Sequence, residues 1–482
     1  MTEPLTKDAQ EKPKPVPLGL NYWKLWSASV VSNLGDGVAQ IAYPWLASAV
    51  TRDPLLISLI LVAQRLPWLI FTLPAGVITD RFDRKKIMTS TAVFRTVLTG
   101  VVAVVVVLAS DTLPLPADVG TVEVTTNMTV YLTLVFASLL FGFAEVLFDN
   151  SAQTILPAIV EPEGLERANG RLWGAEMVMN SFVGPPLGSL LIGVAFALPF
   201  FFDMGTFALS AVLIFAIAGA FTAGGGAAPI PKEDRAGFVD EIKEGVSWLW
   251  RHPLLRPMAI ILGLMNGLAS VTMATLILYA QEVLLVDATT FAFLGMAGAV
   301  GGVIGSLAAP KIAERLGSGP SLYITLIGGS FTTIMIGLAS NWIVVAVLFA
   351  AFTVTAVLWN VITVSLRQTI IPDELLGRVN SVYRFFAWGM MPIGLAIGGL
   401  MVTVAELAGM DRTMALRLPW FVAGAALFLV FLWAAPRLTT DRIESARAEG
   451  VEARSARKAA KETLASEQVT AEMDQPSEDG QR

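Results

Sequence analysis

The feature that most limits what this chain can become is a succession of apolar runs, each some twenty residues long, separated by short segments that carry most of its charge. A helix of about 20 apolar residues matches the ~30 Å hydrocarbon core of a bilayer. In lipid, only helices or closed barrels satisfy every backbone amide. Runs bounded by Gly, Pro and charge fall near 23–50, 54–79, 87–109, 129–150, 172–196, 202–222, 257–281, 288–312, 320–340, 343–365, 380–404 and 416–436. They predict an all-α integral membrane protein with twelve transmembrane helices. Of the 482 residues only 15% are charged, against roughly a quarter in a soluble domain. That composition excludes a water-soluble globule, a disordered chain and a coiled coil.

Basic residues resist translocation, so their distribution sets orientation. With the N-terminus inside, 28 of the 33 Lys and Arg fall in inner segments, and only Arg52, Arg412 and Arg417 fall outside. The remaining two, Arg65 and Arg95, lie within spans. Both termini are expected in the cytoplasm, and the chain in the plasma (cell inner) membrane. The N-terminal segment is hydrophilic where a cleavable signal would be apolar.

The longest inner connection, 223–256, ends in FVDEIKEGVSWLWRHP, where Phe238, Ile242, Val246 and Leu249 recur at helical spacing. It is expected to be an amphipathic surface helix joining two related halves. Gln153-Thr154-Ile155-Leu156-Pro157 followed by Arg167-Ala168-Asn169 recurs as Gln368-Thr369-Ile370-Ile371-Pro372 followed by Arg378-Val379-Asn380. Each copy follows the fourth span of its half, which points to a duplicated six-helix unit. The expected parts are a tail (1–20), an N-terminal six-helix bundle (21–222), a linker (223–256), a C-terminal six-helix bundle (257–437) and a second cytoplasmic tail (438–482). Solvated disorder is at least as compatible with that second tail as partial helix.

The absence of cysteine removes thiolate catalysis and disulfides, and the lone His252 builds no metal cluster. No nucleophile–base pair, phosphate-cradling loop, metal-ligand spacing or basic aromatic stripe occurs. An enzyme, a metal or cofactor site, an ATP-driven pump and a nucleic-acid partner are therefore not expected.

Charge inside a span costs about 2.5–3.5 kcal/mol at the centre on insertion scales, so each such residue needs a purpose or a partner. Asp36 and Arg65 both fall near mid-membrane. They form either a permanent structural pair or a pair that protonation of Asp36 releases. Arg95, Glu145 and Glu176 cluster nearer the inner face, with Arg95 to Glu145 the plain structural pairing, and Asp203 is expected to reach toward the outer boundary. Nothing charged occurs between Leu316 and Leu366. Proton handling is thus assigned to the first half, through Asp36, Arg65, Glu145 and Glu176, and an apolar substrate surface to the second. Candidates to line the cavity are Asn33, Asn180, Asn266, Trp359, Asn360 and Trp388.

The loop after the second span reads Gly76-Val77-Ile78-Thr79-Asp80-Arg81-Phe82-Asp83-Arg84-Lys85-Lys86. Gly76 permits close helix approach, Asp80 can accept hydrogen bonds from a helix N-terminus, and Arg84 lies one turn later. This sequence resembles the G-x-x-x-D-R-x-G-R-[RK] signature of the major facilitator superfamily, with Asp83 where glycine is usual. Twelve spans, halves of six and a long middle loop extend the resemblance over nearly the whole membrane part. Leu66-Pro67, Leu165-Glu166-Arg167-Ala168-Asn169-Gly170 and Gly377-Arg378-Val379-Asn380 are similar to the drug:proton antiporter branch with macrolide efflux proteins and the enterobactin exporter. The resemblance implies that Asp80 caps the eleventh helix near Asn380 and that Arg84 pairs with Asp149 or Glu145. Gly76, Asp80, Arg81, Arg84 and Asp149 would then latch the halves on the inner side. The fifth span partly matches the antiporter motif G-P-x-x-G-G at Gly184-Pro185-Pro186-Leu187-Gly188-Ser189.

The expected function is proton-coupled efflux of a lipophilic or amphipathic small molecule by a monomer, with protons and the lipid bilayer as its other partners. A facilitator or flippase without proton coupling, and a non-transporting scaffold or sensor, are the alternatives.

Overall fold

The computed structural model describes residues 16–221, 238–453 and 455, and among these there is no strand. The first half comprises α1 (Gly19–Val50), α2 (Pro54–Ile70), α3 (Thr72–Arg81), α4 (Arg84–Leu108), α5 (Met128–Ile159), α6 (Leu165–Met177), α7 (Gly184–Val194) and α8 (Leu198–Phe215). The linker helix is α9 (Phe238–Arg251). The second half follows as α10 (Leu255–Met273), the single turn α11 (Leu276–Leu278), α12 (Ala288–Leu316), α13 (Ser318–Leu338), α14 (Trp342–Ile370), α15 (Asp373–Leu407) and α16 (Arg412–Ala434). Among the described residues, ten stretches are long and apolar enough to cross a membrane. The more polar α1 and the α2–α3 pair occupy the first and second predicted spans, so the count is consistent with twelve.

Proline sets the interruptions. The second span breaks at Phe71, between Pro67 and Pro74, because each ring removes an amide from the helical ladder. In the fifth span, a wide turn over Val178–Val183 separates α6 from α7 just before Pro185 and Pro186.

The chain divides into two compact units that do not follow its halves. The first holds residues 1–43, 70–111 and 140–228, and the second holds 44–69, 112–139 and 229–482. Helix pairing within each unit supports the duplication. In the first, α4 lies along α8, which pairs span three with span six. In the second, α13 lies along α16, which pairs span nine with span twelve.

Close contacts without side chains repeat too. Lipid offers no hydrophobic drive to helix association, so small residues that let backbones meet replace it. Gly184 and Gly188 of the fifth span rest against Gly37 and Val38 of α1. Their counterparts Gly394 and Gly398 on α15 rest against Gly267 and Val271 of α10.

The linker helix α9 forms as expected and buries Leu249, while Val246 stays exposed. The side chains of Phe238 and Ile242 lie outside those described. The second tail departs from the disordered alternative: residues 440–453 are helical, Ile443 is buried, and Ser318 Oγ donates to Glu444 at 3.0 Å. His252 is a helix cap, its Nδ1 accepting the Leu254 and Leu255 amides at 3.2 Å.

Gly301 of α12 approaches the Ala350 backbone of α14 so closely that an added methyl would overlap it, whereas Gly295 has nothing within 4 Å. Gly301→Ala should therefore cost about 1–3 kcal/mol, read as a lower thermal midpoint in detergent, and Gly295→Ala should leave the midpoint unchanged.

Candidate functional site

The first unit gathers the charges that the sequence scattered over four spans. Asp36 of α1 is half-buried, takes a hydrogen bond from the Ser32 side chain and feels the charges of Arg95, Glu145 and Glu176. Asp149, one turn beyond Glu145 on α5, feels Glu145, Arg95, Asp36 and Glu176. The arginine facing this group is Arg95 of α4. Arg65 lies on α2, in the second unit, and is described there by itself; within the first unit the arginine acting on Asp36 is Arg95.

Arg95 also departs from its expected pairing with Glu145. It is 2% exposed, and its guanidinium lies over the rings of Phe141, Phe148 and Phe207 at 4.9, 5.1 and 5.4 Å. Aromatic faces stabilise a cation most strongly where water is excluded. Its Nε and Nη2 have no hydrogen-bond partner.

Asp203 corrects another expectation. Instead of reaching toward water it is 1% exposed inside the bundle, because α8 turns it onto the backbone of α1 at Gly35, where an added methyl would overlap its Oδ1. Thr206 Oγ1 lies 3.3 Å from Oδ1, and Oδ2 has no partner.

Among the proposed cavity residues of this half, Asn180 sits in the wide turn of the fifth span and accepts from Gln40 of α1. Asn33 is spent on its own helix, donating to the Ser29 carbonyl and hydroxyl at 2.9 and 3.1 Å.

The signature loop is built differently from the latch that the resemblance implied. Arg84 Nη1 donates to the Thr154 carbonyl at 2.9 Å, so its partner on the fourth span is main chain rather than Asp149 or Glu145. Among the described residues, nothing lies within 4 Å of a methyl placed on Gly76. Arg81 is exposed, and the Asp80 side chain lies outside those described.

Asp83, the departure from the signature, has a clear structural purpose. It caps α4 by accepting the Lys86 amide at 3.0 Å and also accepts the Phe221 amide at 2.8 Å, tying the third span to the chain that leaves the sixth. The carbonyls ending α8 accept from cations: Ala216 from Lys24 at 2.5 Å and Ile217 from Lys85 at 2.6 Å, which suits the negative end of a helix.

Sequence reasoning missed a second charged assembly, which lies wholly in the second unit. Arg52, in the loop after α1, pairs with Glu282 and Gln281 beyond α11. Arg412 at the start of α16 reaches Glu282 at 2.7 Å, Glu406 at 2.7 Å and the Arg52 carbonyl at 2.8 Å. Gln281 donates to Ser48 of α1 at 2.9 Å. These contacts join the first and second halves across loops that the Lys and Arg distribution assigns to the outside. The clue lay in Arg52 and Arg412, two of the three basic residues assigned to the outside, and in Glu282 at the outer end of the seventh span. Burial works to raise the Glu282 carboxyl, but hydrogen bonds and charge from Arg412 and Arg52 outweigh it and hold the group below the ordinary carboxylate range.

The second half is apolar, as expected. Asn266 donates to the Ala387 carbonyl at 2.8 Å, pinning α10 to α15, and Trp388 packs against Trp68 with centroids 4.6 Å apart. Trp359 does not line a cavity: it is 1% exposed in the core of this half, beside Leu358 and Ile362. Asn360 is exposed and bonds its own helix at Ala356. An apolar cavity instead lies among Met265, Met273, Phe349, Phe352, Thr355 and Trp420.

The Major Facilitator Superfamily family model matches residues 25–395. The chain belongs to that superfamily. This facilitator is 26% identical over 415 residues to the multidrug efflux pump Tap of Mycolicibacterium fortuitum, covering 83% of this chain and 94% of the relative. It is 24% identical over 371 residues to the enterobactin exporter EntS of Shigella boydii, covering 74% and 79%. Among solved structures, it resembles a bacterial homologue of the iron transporter ferroportin with a TM-score of 0.64 at 15% identity, over 86% of this chain and 99% of that one. A bacterial homologue of the lysosomal transporter Spinster gives 0.65 at 10% identity, over 87% and 97%. These likenesses carry the fold: a multi-pass membrane transporter with the major facilitator architecture of two pseudo-symmetric six-helix bundles.

Asp83→Gly, which restores the usual signature residue, should cost this facilitator about 0.5–1.5 kcal/mol, mostly through the lost bond to the Phe221 amide because glycine caps a helix nearly as well, measured as a lower thermal midpoint. Glu282→Gln should cost about 1–3 kcal/mol at pH 7, a range reduced for a side chain one-fifth exposed. The Glu282 contribution is complete above its ordinary value of 4.5 and is lost as pH falls through the lower folded value. Wild-type and Glu282→Gln midpoints measured down the pH scale should therefore converge at the acid end.

Proposed function

We propose that this facilitator is a proton-coupled exporter of a lipophilic or amphipathic small molecule, working by alternating access from the plasma membrane with both termini in the cytoplasm. The observation that carries this reading is the group of half-buried carboxylates in the first unit, Asp36, Glu145 and Asp149, acting on one another around a single caged arginine. Acids that share so little positive charge respond strongly to the gain or loss of one proton, because each protonation relieves repulsion on its neighbours. Asp36 is the first carrier and Glu145 and Glu176 are reserves. Arg95 takes the role that the sequence gave to Arg65. The apolar cavity of the second half supplies surface for a lipophilic substrate, in keeping with relatives whose names are those of a multidrug pump and a siderophore exporter.

Switching needs a bistable element and an energy that biases it. Two candidates hold opposite ends. On the predicted inner side, Arg84 and Asp83 join the loop to spans four and six. On the predicted outer side, Arg52, Glu282 and Arg412 join the two halves. Inverting a 1:99 equilibrium takes about 5.5 kcal/mol of differential stabilisation. One proton moved down a gradient of one pH unit supplies about 1.4 kcal/mol. The remainder has to come from substrate binding, membrane potential and exchange of one set of latch contacts for the other.

Proteoliposomes carrying the purified protein, tested with a panel of antibiotics and a catecholate siderophore, check this reading. Transport should be driven by an imposed pH gradient and collapsed by a protonophore. Asp36→Asn should abolish gradient-driven transport, by at least tenfold, while leaving expression and substrate counterflow intact. Wild-type transport unaffected by the protonophore would overturn the coupling and leave a facilitator of the same fold.

A further inference from the structure

We propose that the coupled proton is held on Asp203, deep in the first unit, and reaches it from Asp36 by way of the Tyr43 hydroxyl. The inference rests on the proton-coupled reading above and adds to it the site of the proton.

Four observations carry it. Asp203 is 1% exposed, so it is sealed from solvent in the conformation seen here, as the holding site of a transported ion has to be in one stage of the cycle. Its Oδ1 has one side-chain donor, Thr206, at 3.3 Å, and its Oδ2 has none. A buried carboxylate retained only for structure gathers donors on both oxygens, since each unmade hydrogen bond costs about 1–3 kcal/mol. A bare oxygen inside a membrane bundle is a place prepared for a proton.

The third observation is Tyr43. Its hydroxyl is buried and without a partner, and the charges that act on it are those of Asp203 and Asp36. Its ring packs edge-on against Phe200 at 5.1 Å, one turn before Asp203 on α8. The fourth is the contact of Asp203 with Gly35, the residue before Asp36, which brings α8 onto α1 at the level of the half-buried carboxylate.

The groups facing Asp203 from every packed element are few. Helix α1 contributes Asp36 and Tyr43, α4 contributes Arg95, and α8 itself contributes Thr206. Glu145 of α5 and Glu176 of α6 act one step away, on Asp36. The cation is immobilised by three phenyl faces, so it provides a fixed positive field and cannot swing between the two acids. The transfer balances: in a conformation that closes the Tyr43 hydroxyl, hydrogen-bonded to neither acid here, onto both carboxylates, it gives its proton to Asp203 Oδ2 and takes one from the protonated Asp36 carboxyl. One proton has then moved inward and the tyrosine is unchanged. Asp36, half-buried, exchanges with water, and Asp203 stores what Asp36 receives.

Infrared difference spectroscopy of the purified protein across a pH titration reads the site without needing a substrate. The C=O stretch of protonated carboxyl should contain a component that disappears in Asp203→Asn and shifts in midpoint, without disappearing, in Asp203→Glu. Ethidium flux in proteoliposomes reads its use. Asp203→Asn should reduce gradient-driven flux at least tenfold while ethidium counterflow persists, Asp203→Glu should restore driven flux with a displaced pH profile, and Tyr43→Phe should slow driven flux at least fivefold. Should Asp203→Asn not fold, the Glu and Phe variants carry the same test, because a merely structural Asp203 predicts no change of pH profile in either. A carboxyl signal identical in all variants, or driven flux in Tyr43→Phe equal to wild type, overturns the proposal. If the Asp203 component titrates but wild-type flux ignores the protonophore, the storage site stands and the coupled reading fails, so the two outcomes are separable.

Discussion

An ionised side chain cannot be left in hydrocarbon, and the first unit is arranged around that constraint. Its acids need positive charge or a proton, and the structure supplies one arginine to Asp36, Glu145, Asp149, Glu176 and Asp203. That arginine acts on Asp36, Asp149 and Asp203 and forms an ion pair with no single carboxylate among the described residues. Three phenyl rings hold it in place, a solution that keeps its field available to several acids and commits it to none. Had Arg95 formed a close pair with Glu145, the remaining acids would face each other with no compensating charge. The cage converts a pairwise interaction into a shared one, which is the electrostatic setting in which moving one proton redistributes energy over the whole group.

Backbone approach does for the apolar contacts what the cage does for the charges. The glycines of spans five and eleven lie against spans one and seven at equivalent places, and spans three and six pair as nine and twelve do. A duplicated unit that keeps these contacts can diverge elsewhere, and here it has: the first copy collected charge, the second lost it. The wide turn before Pro185 belongs to the first copy, and it places Asn180 against Gln40 of α1. The corresponding span of the second copy, the eleventh, carries a single proline, Pro392, inside a continuous α15.

Periodicity and hydropathy made the spans, the linker helix and the internal repeat readable from sequence, because a helix in lipid must advertise its length and polarity residue by residue. Partners were harder to read. Depth along a span suggested that Asp36 and Arg65 meet, yet equal depth says nothing about which faces of two helices look at each other, and within the first unit the cation acting on Asp36 is Arg95. Asp203 reads from sequence as a boundary residue because it stands at the very start of the predicted span 202–222. The close contact of α8 with Gly35 buries it, and a contact made by an absent side chain leaves no hydrophobic signal. Asp83 looked like a loss from a signature, and only the position of Phe221 shows that its carboxylate gained two amides. The outer cluster was invisible for a simpler reason: Arg52 and Glu282 are 230 residues apart and form their pair only because the halves fold back to meet.

The two latches are made of different materials, and this bears on how a cycle could run. The predicted inner one uses main-chain groups, the Thr154 carbonyl and the Phe221 amide, whose hydrogen-bonding strength is the same at any physiological pH. The predicted outer one uses side-chain ions with Glu282 at the centre, and two arginines keep that carboxylate charged well into the acid range. On the proton-coupled reading proposed above, neither set of contacts is where the coupled proton acts. Sensitivity to the proton is confined to the acids of the first unit, while the latches set only the energy difference between conformations. A transporter built this way can keep its coupling site and its conformational balance on separate residues, so that a change in either latch alters how often the molecule turns over without altering which ion drives it.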